Sequence, residues 1–115
     1  MALRITNGEV DGVTVVWLDG RVVLGEETEA LRDTVKSLIA QGKKKLILNM
    51  NNVTLIDSAG LGALVAAYSS TKLCGASLRL CHLGTKFYQL LQITRLITLF
   101  DVYDTQADAM TSFSK

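Results

Sequence analysis

Ile56-Asp57-Ser58-Ala59-Gly60-Leu61-Gly62 is the stretch whose reading decides how the rest of this 115-residue chain is arranged. Upstream, Leu46-Ile47-Leu48 reads as a buried strand, Asn49 to Asn52 as a polar corner, and Val53-Thr54-Leu55-Ile56 as a second short apolar step. Downstream, Leu61, Leu64, Val65 and Tyr68 recur at helical spacing. The spacing places Ser58 at the helix N-cap, its hydroxyl accepting from the N–H of Gly60 or Leu61. Asp57 would then sit at the positive end of the helix dipole, which favours a carboxylate. Gly60 and Gly62 are costly in a helical turn, up to about 1 kcal/mol each against alanine. They are expected only where another backbone or a phosphate must come close.

Length predicts a single domain over residues 1–115, large enough for one core. A hydrophobic fraction of 49% with 20% charged residues is that of a folded soluble chain, not a disordered tail. The formal net charge of +1 argues against a nucleic-acid footprint, since Lys43-Lys44-Lys45 is only a short cluster at a turn. No apolar run reaches the length of a membrane span, and Met1-Ala2-Leu3-Arg4 lacks a signal-peptide core, so the expected compartment is cytoplasmic. Cys74 and Cys81 with the lone His82 do not make a zinc set. Both thiols are expected to be free and largely buried, as small hydrophobes, and no cofactor is expected.

Two strands, Leu3 to Val10 and Val13 to Leu18, are joined by Asp11-Gly12, a strong hairpin signal. Val13, Val15 and Trp17 share one face and Thr14, Val16 and Leu18 the other, so the second strand should lie inside a sheet. Asp19-Gly20 reads as another turn, followed by a short extended piece from Arg21 to Leu24. A helix is expected from Glu26 to Gly42, with Leu31, Val35, Leu38 and Ile39 as its apolar stripe. Gly75 closes the helix begun at Ser58. Ser77 to Leu83 alternates as a strand, Thr85 starts a helix with Phe87, Leu90, Leu91 and Thr94 inward, Leu96 to Phe100 reads as a last strand, and a final helix covers Thr105 to Phe113.

Catalysis has little to stand on. Ser58 is not in a Gly-x-Ser-x-Gly elbow, because position 56 is Ile56, and His82 is more simply a packed or edge histidine than a base. A serine hydrolase built on Ser58 is therefore the least supported reading. A binding surface fits better: an exposed hydroxyl at a helix start, beside a carboxylate, could be switched by a phosphoryl group adding about −1.5 to −2 charges. The simplest alternative is that Ser58 only caps the helix.

These residues resemble the STAS domain family, the anti-sigma factor antagonists and their relatives. The resemblance covers nearly the whole chain. It rests on Asp57-Ser58-Ala59-Gly60-Leu61-Gly62 after Leu46-Ile47-Leu48, on Gly20-Arg21 with the following Ala30-x-Arg32 helix, and on Leu90 to Thr94 and Leu99-Phe100. It implies an α/β fold, a mixed sheet of about four or five strands with about four helices largely on one face. It also implies a non-enzymatic role. The unphosphorylated domain binds an anti-sigma factor that is also a serine kinase; phosphorylation reverses this and a phosphatase resets it. The family's usual acceptor position is occupied here by Ala59, which leaves Ser58, one residue earlier, as the phosphorylation candidate. The loop Val22 to Gly25 lacks the family's aspartate, and Asn49 stands where an aspartate is often found. The implied partner-binding residues are Asp57, Ser58, Gly60, Leu61 and Gly62 with the exposed side of the following helix, and the loop from Gly20 to Glu27, Gly25 and Glu26 above all. The alternative is a constitutive, non-phosphorylated STAS subunit of a transporter-associated or signalling complex, which Ala59 favours.

Overall fold

A computed structural model describes residues 2–114. Strand β1 (Leu3–Val10) turns at Asp11-Gly12 into the antiparallel β2 (Val13–Val22), as the hairpin signal requires. The expected turn at Asp19-Gly20 does not form; β2 runs through it. Gly20 holds φ at +122°, and a Cβ there would lie 2.1 Å from the carbonyl oxygen of Ala2. The glycine thus lets the start of the chain press on β2 without ending it.

Helix α1 (Glu26–Ala40) buries Leu31, Val35 and Leu38, with Ile39 half-buried at the margin. Its first turn holds three glutamates, in keeping with the dipole. Glu27 does more: it is buried, and its Oε2 accepts the Ala2 N–H at 3.1 Å.

Strand β3 (Lys45–Ile56) corrects the reading of Asn49 to Asn52 as a corner. The strand continues through these residues beside β2, with β3 carrying extra residues. Trp17 pairs with Asn49 and Asp19 with Asn52, three steps on β3 against two on β2. Gly20 then pairs with Val53 and Arg21 with Leu55, two steps against one. Each mismatch is a bulge, and bulges break the two-residue alternation that marks a strand in sequence. They bring Met50, Val53 and Ile56 to the same core although they stand three apart.

Helix α2 (Ser58–Leu73) follows, then β4 (Ser77–Cys81), α3 (Thr85–Ile93), a 3-10 turn (Leu96–Thr98), β5 (Asp101–Tyr103) and α4 (Gln106–Ser112). The sheet order is β1-β2-β3-β4-β5, with every pair after the first parallel. The apolar segment Leu96 to Phe100 is therefore not the last strand. Arg95 takes a left-handed φ of 62°, the Leu96 carbonyl accepts from Leu99 N, and the last strand begins at Asp101. The run is apolar because Phe100 is buried edge-on to Tyr68, with ring centroids 5.5 Å apart; a short apolar run cannot by itself distinguish strand from helix.

Helices α1, α2 and α3 cover one face over Val16, Leu18, Leu46, Leu48, Leu78 and Leu80. The other face, Val13, Val15, Ile47 and Cys81, is covered by α4 through Ala109, Met110 and Phe113. A latch holds α4 there: Gln106 Oε1 accepts from Trp17 Nε1 at 3.2 Å and Asn49 Nδ2 at 2.9 Å, and its N–H donates to His82 Nε2 at 3.1 Å. His82 is thus a structural acceptor at a helix start, with φ at 56° ending β4. Thr94, expected inward, is exposed at the end of α3. Cys81 is buried, and burial pushes its thiol up to about 12. Cys74, expected buried, is exposed at the C-cap of α2, past Thr71, the last buried position of that helix.

Candidate functional site at the start of α2

The corner where β3 passes into α2 is built by Asp57, not Ser58. Asp57 is the N-cap, in extended conformation, and its Oδ1 accepts the Gly60 N–H at 2.8 Å. Its Oδ2 accepts the Leu24 N–H at 3.0 Å, across from the loop that precedes α1. One carboxylate therefore ties the start of α2 to the start of α1. Donation from Leu24 N–H, and then from Gly60 N–H, holds the Asp57 carboxyl below the ordinary aspartate range. The expectation of Ser58 as cap is corrected: a cap must precede the first helical residue, and Ser58 is that residue. Its side chain is released from capping and is exposed.

The two glycines of the motif point to opposite sides. A Cβ at Gly60 would lie 2.0 Å from the Val22 carbonyl oxygen and 3.1 Å from Ile56 Cγ2. Gly60 is buried, and the backbone that approaches it is the chain's own β2. Its expected role as a partner contact is therefore corrected; it seats the helix on the sheet. Gly62 is exposed, and a Cβ there would meet nothing within 4 Å. Leu61 is half-buried against the core and offers only part of its surface.

Around this helix start the loop Leu24-Gly25-Glu26 is exposed, and Leu24 leaves 77% of its surface in solvent. Leu55, at the end of β3, is 52% exposed. Sequence reading named Gly25 and Glu26, took in Leu24 only as part of the loop from Gly20 to Glu27, and did not name Leu55; a pattern of apolar residues assigns both leucines to the interior by default. Their signal in sequence is position only: each lies within two residues of a chain corner.

The STAS domain family model matches residues 4–109. This chain belongs to that family. Among curated proteins, the anti-sigma F factor antagonist of Paenibacillus polymyxa is 22% identical over 111 residues, covering 96% of this chain and 95% of that protein. Among solved structures, an anti-sigma factor antagonist from Mycobacterium paratuberculosis superposes with a TM-score of 0.84 at 24% identity, covering 98% of this chain and 95% of the other. The Bacillus cell fate determinant SpoIIAA in its phosphorylated form superposes with a TM-score of 0.73 at 18% identity, covering 96% and 99%. The mixed five-stranded sheet with its helices is the STAS fold. No helix among the described residues is long and apolar enough to cross a membrane.

Within that fold, this STAS domain presents Asp57, Ser58, Gly62, Gly25 and Glu26 around one corner, with Ser58, Gly62, Gly25 and Glu26 exposed. Asn49 lies apart from it. Its amide joins the α4 latch, and its Oδ1 accepts the Asn51 N–H at 2.9 Å.

Proposed function

We propose that this STAS domain is a protein-binding module that docks on an anti-sigma factor through the first turn of α2 and the Leu24 to Glu26 loop. One observation carries the reading: Asp57 joins these two segments by a hydrogen bond from each, and leaves an exposed hydroxyl and an open glycine on the outer side. A surface pre-organised in this way loses little conformational freedom on binding, which favours affinity. Leu24 supplies an apolar anchor at the edge, and such anchors carry much of the energy in interfaces.

The corner also suits a switch on Ser58. A phosphoryl group there would add about −1.5 to −2 charges one residue from the Asp57 carboxylate. The α2 N-terminus would accommodate part of that charge, while a partner covering the corner would meet a hydrated dianion. In this reading the anti-sigma factor is also the serine kinase, and a phosphatase restores the docking state. Ala59, at the family's usual acceptor position, has no hydroxyl, so the switch in this chain depends on Ser58.

Immobilised domain, wild type and Ser58→Glu, is titrated with the anti-sigma factors encoded in the same genome. Wild type is expected to bind one of them, and the glutamate to weaken binding by about tenfold, the scale of a charge misplaced in an interface. Equal affinity for both forms would remove the corner from the interface. Incubation with the binding partner and ATP, read by intact mass, then tests modification: one added phosphate lost in Ser58→Ala supports the switch, and an unmodified wild type refutes it.

A further inference from the structure

The second half of β3 has a strand on one side only. Beside β4 the ladder covers Lys45 to Asn49 and ends there, because His82 turns left-handed and leads the chain away. Beside β2, β3 stays paired as far as Ile56. From Met50 to Ile56 the opposite edge has no neighbouring strand among the described residues, so alternate residues turn N–H and C=O groups towards a side where no ladder takes them up. At its near end, Asn49 Oδ1 closes the ladder by taking the Asn51 N–H.

Helix α3 stands across from this edge, and between them lies a half-open cleft of about 550 Å³. Met50, Val53 and Ile56 of the bulged strand line it with Phe87 and Leu90 of α3. Among the described residues, Lys86 is the one charged residue in the lining, which holds no acid. Gly84 at the N-cap offers no side chain, the first turn has no acidic residue, and Lys86 sets its charge against the helix dipole. Local helix stability does not explain a lysine without an acid in this first turn; a positive mouth on an apolar cleft does.

We propose that this cleft binds an extended peptide segment of a partner protein, added to the free edge of β3. The segment carries apolar side chains towards Met50, Val53 and Phe87 and a carboxylate opposite Lys86. The unpaired backbone edge selects a strand, since main-chain hydrogen bonding to an exposed edge is satisfied by extended chain. The charge of the lining selects an acidic one. The cleft reaches Leu55 and Ile56 beside the corner at Ser58, but its occupant is set by the β3 edge and Lys86, not by the Ser58 hydroxyl.

A phage-displayed random hexapeptide library is panned on the folded protein, and the enriched sequences are synthesised with a fluorescent label. Enriched peptides are expected to combine alternating apolar residues with Asp or Glu. By anisotropy, exposed Lys86→Glu should weaken them by about tenfold, and N-methylation of alternate peptide amides by about tenfold or more. Lys36→Glu, on the exposed side of α1, should leave their affinity unchanged, which assigns the loss to the cleft and not to net charge. The proposal is overturned if panning enriches no acidic-apolar sequence, if Lys86→Glu binds as wild type, or if N-methylated peptides bind as well as their parents. The last result would assign the cleft to a helix or a small molecule.

Discussion

Gly60 and Gly62 stand two residues apart in one helical turn, and the fold uses them in opposite ways. Gly60 faces inward, where the Val22 carbonyl occupies the place of a side chain. Gly62 faces outward into open space. The first is required by the chain's own packing, and nothing inside the domain requires the second. A glycine that the domain's own packing does not need, at a helix start whose stability it lowers, points outward to something that must come near.

The comparison breaks most directly at Gly60. Gly60→Ala forces α2 away from β2 and should cost about 3 kcal/mol or more, as overpacking against immobile backbone does. Urea denaturation measures this, and a variant as stable as wild type would show that the helix start can shift freely. Gly62→Gln sharpens the outward side. It should leave urea stability at or slightly above wild type, since glutamine is the better helix former, while weakening anti-sigma factor binding by about tenfold, the scale of a blocked interface centre. If binding is unaffected, the outer face of this turn is not the contact surface.

Asp57 lies between the two sides, and its effect is smaller. The Leu24 and Gly60 N–H groups lower its carboxyl in the folded state. A lowered carboxyl contributes stability that is fully present above the unfolded aspartate value, about 3.9, and is lost as pH falls through the folded value. Glu27 and Glu9 are lowered too, by the Ala2 N–H and by Lys43, so the acid limb is shared. Asp57→Asn should therefore flatten, not abolish, the fall in thermal stability on acidification, and unchanged steepness would contradict the tie. Least in size, Gly62→Ala should raise stability by about 0.5–1 kcal/mol, since alanine restores helix propensity where there is room for it. A loss instead would mean that Gly62 also packs inward.

The helices were legible because their signals are local. Glu26 to Gly42 has an acidic first turn and an apolar stripe, and the chain folds there as α1. The Asp11-Gly12 hairpin is equally local. Where reading and structure part, a distant contact decides. Asp19-Gly20 carries a turn signal, but the start of the chain lies against Gly20 and β2 continues. Asn49 to Asn52 is polar enough for a corner, yet pairing with β2 holds it as bulged strand. Serine and aspartate are both good caps, and the Leu24 N–H, thirty-three residues away in sequence, bonds to Asp57.

By itself the sequence determined the order of elements, the helix that starts at Ser58 and the family to which the chain belongs, since periodicity, turn residues and a compact motif are written in neighbouring positions. Only the tertiary structure decided which glycine is sealed and which is open, that Asp57 and not Ser58 caps α2, and that half of β3 is left with a free edge. Those outcomes depend on which backbone comes to lie beside which, and long-range packing leaves no local mark on the residues that receive it.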